Sequence, residues 1–168
     1  MNSTFFLELK ECVDKLAVDP DCRVIIICGS GNMFSAGLDL DEHADVFREM
    51  TGASDSSGEK SGGTSFGSHK DSARTTTANM RFITRMQESL GSLQSCPKPV
   101  ISAVHSGCIG AGVDLVCASD VRLATSDAWF SIKEVDIGLC ADLGTLQRLQ
   151  KLIGNDSLVR ELVFTARR

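Results

Sequence analysis

What this chain lacks narrows its role before any motif is considered. No apolar run approaches the ~20 residues that cross a bilayer, and the longest, Val24 to Cys28, is strand-sized. Lys and Arg form no cluster, and a net charge of −5 argues against a nucleic-acid surface. The seven cysteines (Cys12, Cys22, Cys28, Cys96, Cys108, Cys117 and Cys140) are odd in number and contain no C-x-x-C pair. That pattern favours reduced, buried thiols over a disulfide framework or a zinc site. His43, His69 and His105 stand apart from one another, so a metal cluster is not expected, and G-x-S-x-G, P-loop and H-E-x-x-H motifs are missing. Met1 to Lys10 has neither the basic start of a signal peptide nor an arginine, and Thr165-Ala166-Arg167-Arg168 is not a Ser-Lys-Leu type address.

What is present reads as one globular domain: 168 residues, 42% hydrophobic and 23% charged. Phe5, Phe6, Leu9, Cys12, Val13 and Leu16 fall at helical spacing before Pro20, and Arg23 to Cys28 reads as a buried strand. A short helix is expected over Leu38 to Met50, followed by a Gly/Ser/Thr-rich flexible insertion from Thr51 to Thr77. Met80, Phe82, Ile83, Met86, Leu90 and Leu93 mark a second amphipathic helix, with Met80 and Met86 in the core, stopped by Cys96-Pro97-Lys98-Pro99. Strands are expected at Val100 to Val104, Val121 to Ala124 and Trp129 to Ile132. A Gly-rich turn enters a helix across Gly107 to Ala118, and helices follow at Leu143 to Leu152 and Ser157 to Phe164. Strands alternating with helices indicate an α/β domain with a largely parallel sheet.

Three segments could carry chemistry. In Phe34-Ser35-Ala36-Gly37-Leu38-Asp39-Leu40, small residues let the backbone approach a ligand, and exposed N–H groups could bind an oxyanion. Asp39 could equally be a helix cap. In Gly107-Cys108-Ile109-Gly110-Ala111-Gly112-Val113-Asp114, the glycine order G-x-x-G-x-G differs from a dinucleotide loop. First-turn N–H groups there could hold developing negative charge, and Asp114 either joins a site or answers the helix dipole. In Lys133 to Gly144, Glu134 and Asp142 flank an apolar stretch whose burial would raise a carboxyl pKa toward the range useful for proton transfer. Alternatively, Asp142 caps the next helix and Glu134 pairs with Lys133 at the surface.

Taken together, these segments resemble the crotonase (enoyl-CoA hydratase/isomerase) family, from near Phe5 to Arg168 apart from Thr51 to Thr77. Lys98-Pro99-Val100-Ile101-Ser102-Ala103-Val104 followed by Gly107 to Gly112 looks like the family's second oxyanion segment, and Phe34 to Leu40 like its first. The resemblance implies a crotonase-like ββα-repeat core. It also implies an acyl-CoA thioester substrate bound around Ala36, Gly37, Leu38, Asp39, Leu40 and Ala111, with the N–H groups of Leu38 and Ala111 holding the thioester oxygen. The set Asp114, Glu134 and Asp142, spaced by 20 and then 8 residues, resembles the dienoyl-CoA isomerase branch. That branch would convert 3,5-dienoyl-CoA to 2,4-dienoyl-CoA in fatty acid β-oxidation. Asp142 would act as base, Glu134 as proton donor and Asp114 as the neighbour that keeps Glu134 protonated. The alternatives are an enoyl-CoA hydratase using Asp114 and Glu134, or an inactive family member. The family implies a homotrimer or hexamer, no metal or redox cofactor, and a mitochondrial or peroxisomal address. It further implies that the chain holds the central part of the fold, without the opening β-hairpin and the C-terminal helices that cover the acyl pocket.

Overall fold

The computed structural model describes residues 1–42, Ala44 and 72–168, the side chain of Ser72 excepted. Helix α1, Ser3–Val18, starts where the Asn2 side chain accepts from the Phe5 N–H at 2.9 Å, and it buries Phe6 and Val13 two turns apart. At its far end the Lys98 ammonium donates to the carbonyls of Leu16, at 2.5 Å, and Asp19, occupying acceptors that the helix terminus leaves open. Helix α2, Ser72–Ser95, packs along α1 through Met86, Leu90 and Leu93, the i, i+4, i+7 positions of one face.

The strands are β1 Ile25–Cys28, β2 Val100–Val104, β3 Gly107–Ile109, β4 Val121–Ala124 and β5 Trp129–Ser131. They form two parallel sheets, β1-β2-β4 and β3-β5. Helix α3, Ala111–Ala118, is buried at all eight residues. A 3-10 turn, Glu134–Ile137, then leads to the outer helices α4, Thr145–Ile153, and α5, Asp156–Thr165. One apolar cluster joins α1, α2, β2, α3 and the approach to α4, so the elements bearing Asp114 and Asp142 close onto a common core.

Several expectations need correction. The strand at Ile25–Cys28 is not buried on both faces, because β1 is an edge strand whose Ile26 is 60% exposed while Ile25 is buried. Met80 is 64% exposed, and only Met86 of that pair reaches the core. The expected insertion overlaps α2, since Ser72 to Thr77 are helical; residues 51–71 lie outside the described residues. A polar first turn and a half suits a helix whose packing face begins further along. The helix expected over Leu38 to Met50 does not start at Leu38, since Leu38 to Glu42 run as bends and turns; Ala44 is helical, and residues 43 and 45–50 lie outside the described residues. Strand β3 lay hidden in what read as a turn, because its three residues are too few to show a period. The cysteines are all free, yet only Cys108 and Cys117 are buried; Cys12, Cys28 and Cys140 are exposed.

Candidate active site

The segment from Phe34 to Leu40 is drawn against the segment from Gly107 to Gly112 by strand-like pairing. Ser35 bridges Cys108 in parallel fashion, with Ser35 N–H donating to Gly107 O at 3.1 Å and Ile109 N–H donating to Ser35 O at 3.0 Å. Gly110 N–H donates to Ser131 O at 2.9 Å, which ties the second segment to β5. The approach is close enough to require glycine at two points. Gly37 has φ +93°, and a Cβ there would lie 3.1 Å from the Ile109 carbonyl oxygen. At Gly110, with φ +53°, a Cβ would meet the Glu134 carboxylate at 3.2 Å.

Leu38 and Ala111, the residues following these glycines, line one cavity of about 190 Å3 together with Ala36, Leu40 and Glu134. Ala111 is the first residue of α3, where an N–H has no intrahelical acceptor. Neither its N–H nor that of Leu38 donates to an acceptor among the described residues. Asp39 is placed differently. Its side chain is exposed and accepts from the Glu42 N–H at 3.2 Å, so it caps a turn and lines neither cavity. The local role read from sequence fits it better than a binding role.

An adjoining cavity of about 170 Å3 shares Leu38, Glu134 and Leu139 with the first and is walled by all three carboxylate residues. Asp114 is fully buried on α3. Its Oδ1 accepts from the Thr145 N–H at 2.5 Å, and its Oδ2 has no hydrogen-bond partner among the described residues. Burial pushes its pKa up against the hydrogen bonding of Thr145, and the charge of Asp142 raises it further while that of Arg148 opposes the rise. Glu134 is half-buried, with Oε2 buried and unpartnered. Burial, followed by the charges of Asp114 and Asp142, carries its pKa from 4.5 to about 7. Asp142 is half-buried as well, and desolvation raises its pKa.

Two of the local roles read for these residues are not the ones they take. Asp142 does not cap α4, whose N-cap is Gly144; the carboxylate that reaches the first N–H of that helix belongs to Asp114, 31 residues away. Glu134 does not pair with Lys133, whose ammonium binds Asp136 at 2.7 Å. Asp114 therefore answers a helix dipole, but that of α4 rather than its own α3.

Sequence reasoning passed over several residues at the site. Phe82, Ile83 and Met86 of α2 form its apolar wall, and Cys140 lies in the wall between Glu134 and Asp142. Burial and the nearby carboxylates, Asp142 foremost, hold the Cys140 thiol above its ordinary pKa. Gln87 donates from Nε2 to the main-chain oxygen of Asp142 at 2.7 Å. Only the apolar stripe of α2 was legible as a wall element, and nothing local distinguishes Gln87 from its polar neighbours.

Comparison with known proteins bears on the family and the fold. Residues 61–168 match the family model described as Enoyl-CoA hydratase/isomerase. The chain is 50% identical over 168 residues to the protein named Delta(3,5)-Delta(2,4)-dienoyl-CoA isomerase, mitochondrial, of Homo sapiens, and spans 100% of this chain and 46% of that protein. It is 40% identical over 164 residues to the peroxisomal Delta(3,5)-Delta(2,4)-dienoyl-CoA isomerase of Arabidopsis thaliana, with 98% and 53% covered. The chain thus spans about half the length of the curated relatives it matches. Among solved structures, an enoyl-CoA hydratase from Shewanella pealeana superposes with a TM-score of 0.76 at 19% identity, covering 99% of this chain and 53% of that one. At that identity the likeness speaks for the fold alone.

Proposed function

This chain belongs to the enoyl-CoA hydratase/isomerase family, and from that premise we propose that it carries the proton-transfer core of an enzyme converting 3,5-dienoyl-CoA to 2,4-dienoyl-CoA. One observation carries the proposal: Asp114, Glu134 and Asp142 wall a cavity that shares Leu38, Glu134 and Leu139 with the one lined by Ala111. The relatives named as dienoyl-CoA isomerases point the same way.

The chemistry follows from the charges. Asp142 accepts the proton from C2 of the dienoyl thioester, and the freed electron pair spreads over the conjugated chain and the thioester oxygen. The unpaired N–H groups of Leu38 and Ala111 stabilise that oxygen as charge develops on it. Glu134, whose pKa is raised to about 7 so that a substantial share keeps its proton near neutral pH, delivers that proton to C6. Asp114 stands in the same cavity wall, and the mutual repulsion of neighbouring carboxylates favours one proton held between it and Glu134. The shift is redox-neutral, so the carboxylates suffice without a metal or redox cofactor. The relatives carry mitochondrial and peroxisomal names, and we place this chain's action in one of those organelles.

The test is to supply a 3,5-dienoyl-CoA and follow the ultraviolet absorption of the 2,4-dienoyl thioester. Asp142→Asn should lower kcat by about 10²- to 10⁴-fold, the usual loss on removing a general base. If Asp142→Asn isomerises as fast as the parent, Asp142 is not the base; if hydration of a 2-enoyl-CoA outpaces isomerisation in the parent and survives in Asp142→Asn, the assignment fails in favour of a hydratase.

A further inference from the structure

The Asp142 carboxylate receives no hydrogen bond from any other residue among those described. Its direction is therefore inherited from its main chain. That main chain is held at two points: Asp142 N–H donates to Cys140 O at 2.9 Å, and Asp142 C=O accepts from Gln87 Nε2 at 2.7 Å. The first bond lies within the loop and moves with it. The second is the one anchor at Asp142 itself that reaches an outside element, helix α2, across 55 residues of sequence.

Neighbouring contacts fasten the rest of the loop. Arg148 donates from a terminal guanidinium nitrogen to Leu143 O at 3.3 Å and from Nε to Gln94 Oε1 at 3.1 Å. Gln94 lies seven residues beyond Gln87, on the same face of α2 after two turns. The helix thus grips the loop directly at Asp142 and, through Arg148, at Leu143. It also supplies Phe82, Ile83 and Met86 to the wall of the same cavity.

We propose that Gln87 is a positioning residue, whose amide fixes the Asp142 main chain and so aims the base along the substrate-facing wall built by its own helix. The role rests on the proton-transfer function assigned above. A carboxylate without side-chain bonds loses its alignment when its backbone drifts, and misplacement by about 1 Å can cost on the order of 10²-fold in rate.

Three measurements on the full chain test this. Gln87→Met keeps the length and helix propensity of the side chain but removes the donor. Hydrogen exchange of the peptide spanning residues 139–144 should rise at least about tenfold, a local opening cheaper by about 1.4 kcal/mol, while α1 and β2 stay protected. With the dienoyl substrate, kcat should fall about 10- to 100-fold with KM within about threefold, since only the alignment of the base is lost. Gln87→Glu offers a rescue that a packing role would not show. Its neutral carboxyl can donate to Asp142 O and its anion cannot, so its activity relative to the parent should rise as pH falls. Unchanged exchange at 139–144 in Gln87→Met overturns the proposal, as does unchanged kcat in an active parent. A loop that loosens in a protein whose parent does not isomerise leaves the anchor standing and refutes the isomerase assignment instead.

Discussion

Glu134 is where burial acts most visibly on a single residue. The folded chain keeps a proton there up to about pH 7, whereas an unfolded chain releases it near the ordinary value of 4.5. The native state therefore binds more protons through that interval, and stability falls as pH rises across it. The neutral carboxyl contributes fully below the lower value, and its contribution is lost as pH climbs through the upper one. Glu134→Gln stays neutral throughout. Its unfolding free energy should match the parent's near pH 4.5 and exceed it by pH 8, by on the order of 2 kcal/mol after allowance for partial solvent contact, with the melting temperature following the same trend. Equal melting temperatures at both pH values would show that Glu134 is not desolvated. The same shift sets the alkaline limb of activity: kcat/KM should fall above about pH 7 as the donor ionises.

At the scale of elements, the three-stranded sheet is asymmetric in a way no single strand reveals. Val100, Ser102 and Val104 turn one face of β2 into the core, all at 2% exposure or less. The register aligns Ile26, Ile101 and Val121 on the opposite face, followed by Cys28, Ala103 and Leu123, an apolar face that retains solvent contact. Equal hydrophobicity therefore carries unequal weight. Val104→Ala should cost about 2 kcal/mol, by lost burial plus a cavity, whereas Leu123→Thr should stay within about 0.5 kcal/mol. Urea denaturation of the two variants checks this, and a larger loss for Leu123→Thr would mean that the outer face is packed. This asymmetry explains why Arg23 to Cys28 looked like a buried strand. A continuous β-branched run records that both faces are apolar, and burial depends on what the fold sets against each.

For the molecule as a whole, charge governs colloidal behaviour. With a net charge of −5 near pH 7 and a pI of about 5.1, repulsion between copies vanishes close to pH 5. The apolar outer face of the sheet then meets no electrostatic barrier. Turbidity of a fixed concentration scanned from pH 4 to 8 should peak near pH 5, and a flat trace would contradict the charge argument.

Much of this molecule was settled by local sequence. Helix periods, the Pro-bounded end of α2, the apolar run of β2 and the turn glycines are short-range signals, and the elements they mark stand close to where the pattern puts them. Asp114, Glu134 and Asp142 stood out only through resemblance to the family's carboxylate set, since each alone could pass for a cap or a surface charge. Tertiary structure decided their environments. Asp114 caps a helix 31 residues downstream, Glu134 keeps its proton because the chain folds over it, and Asp142 is held from a helix 55 residues upstream. Desolvation and anchoring are set by atoms brought close in space, and such proximity leaves no periodic mark in the residues that share it.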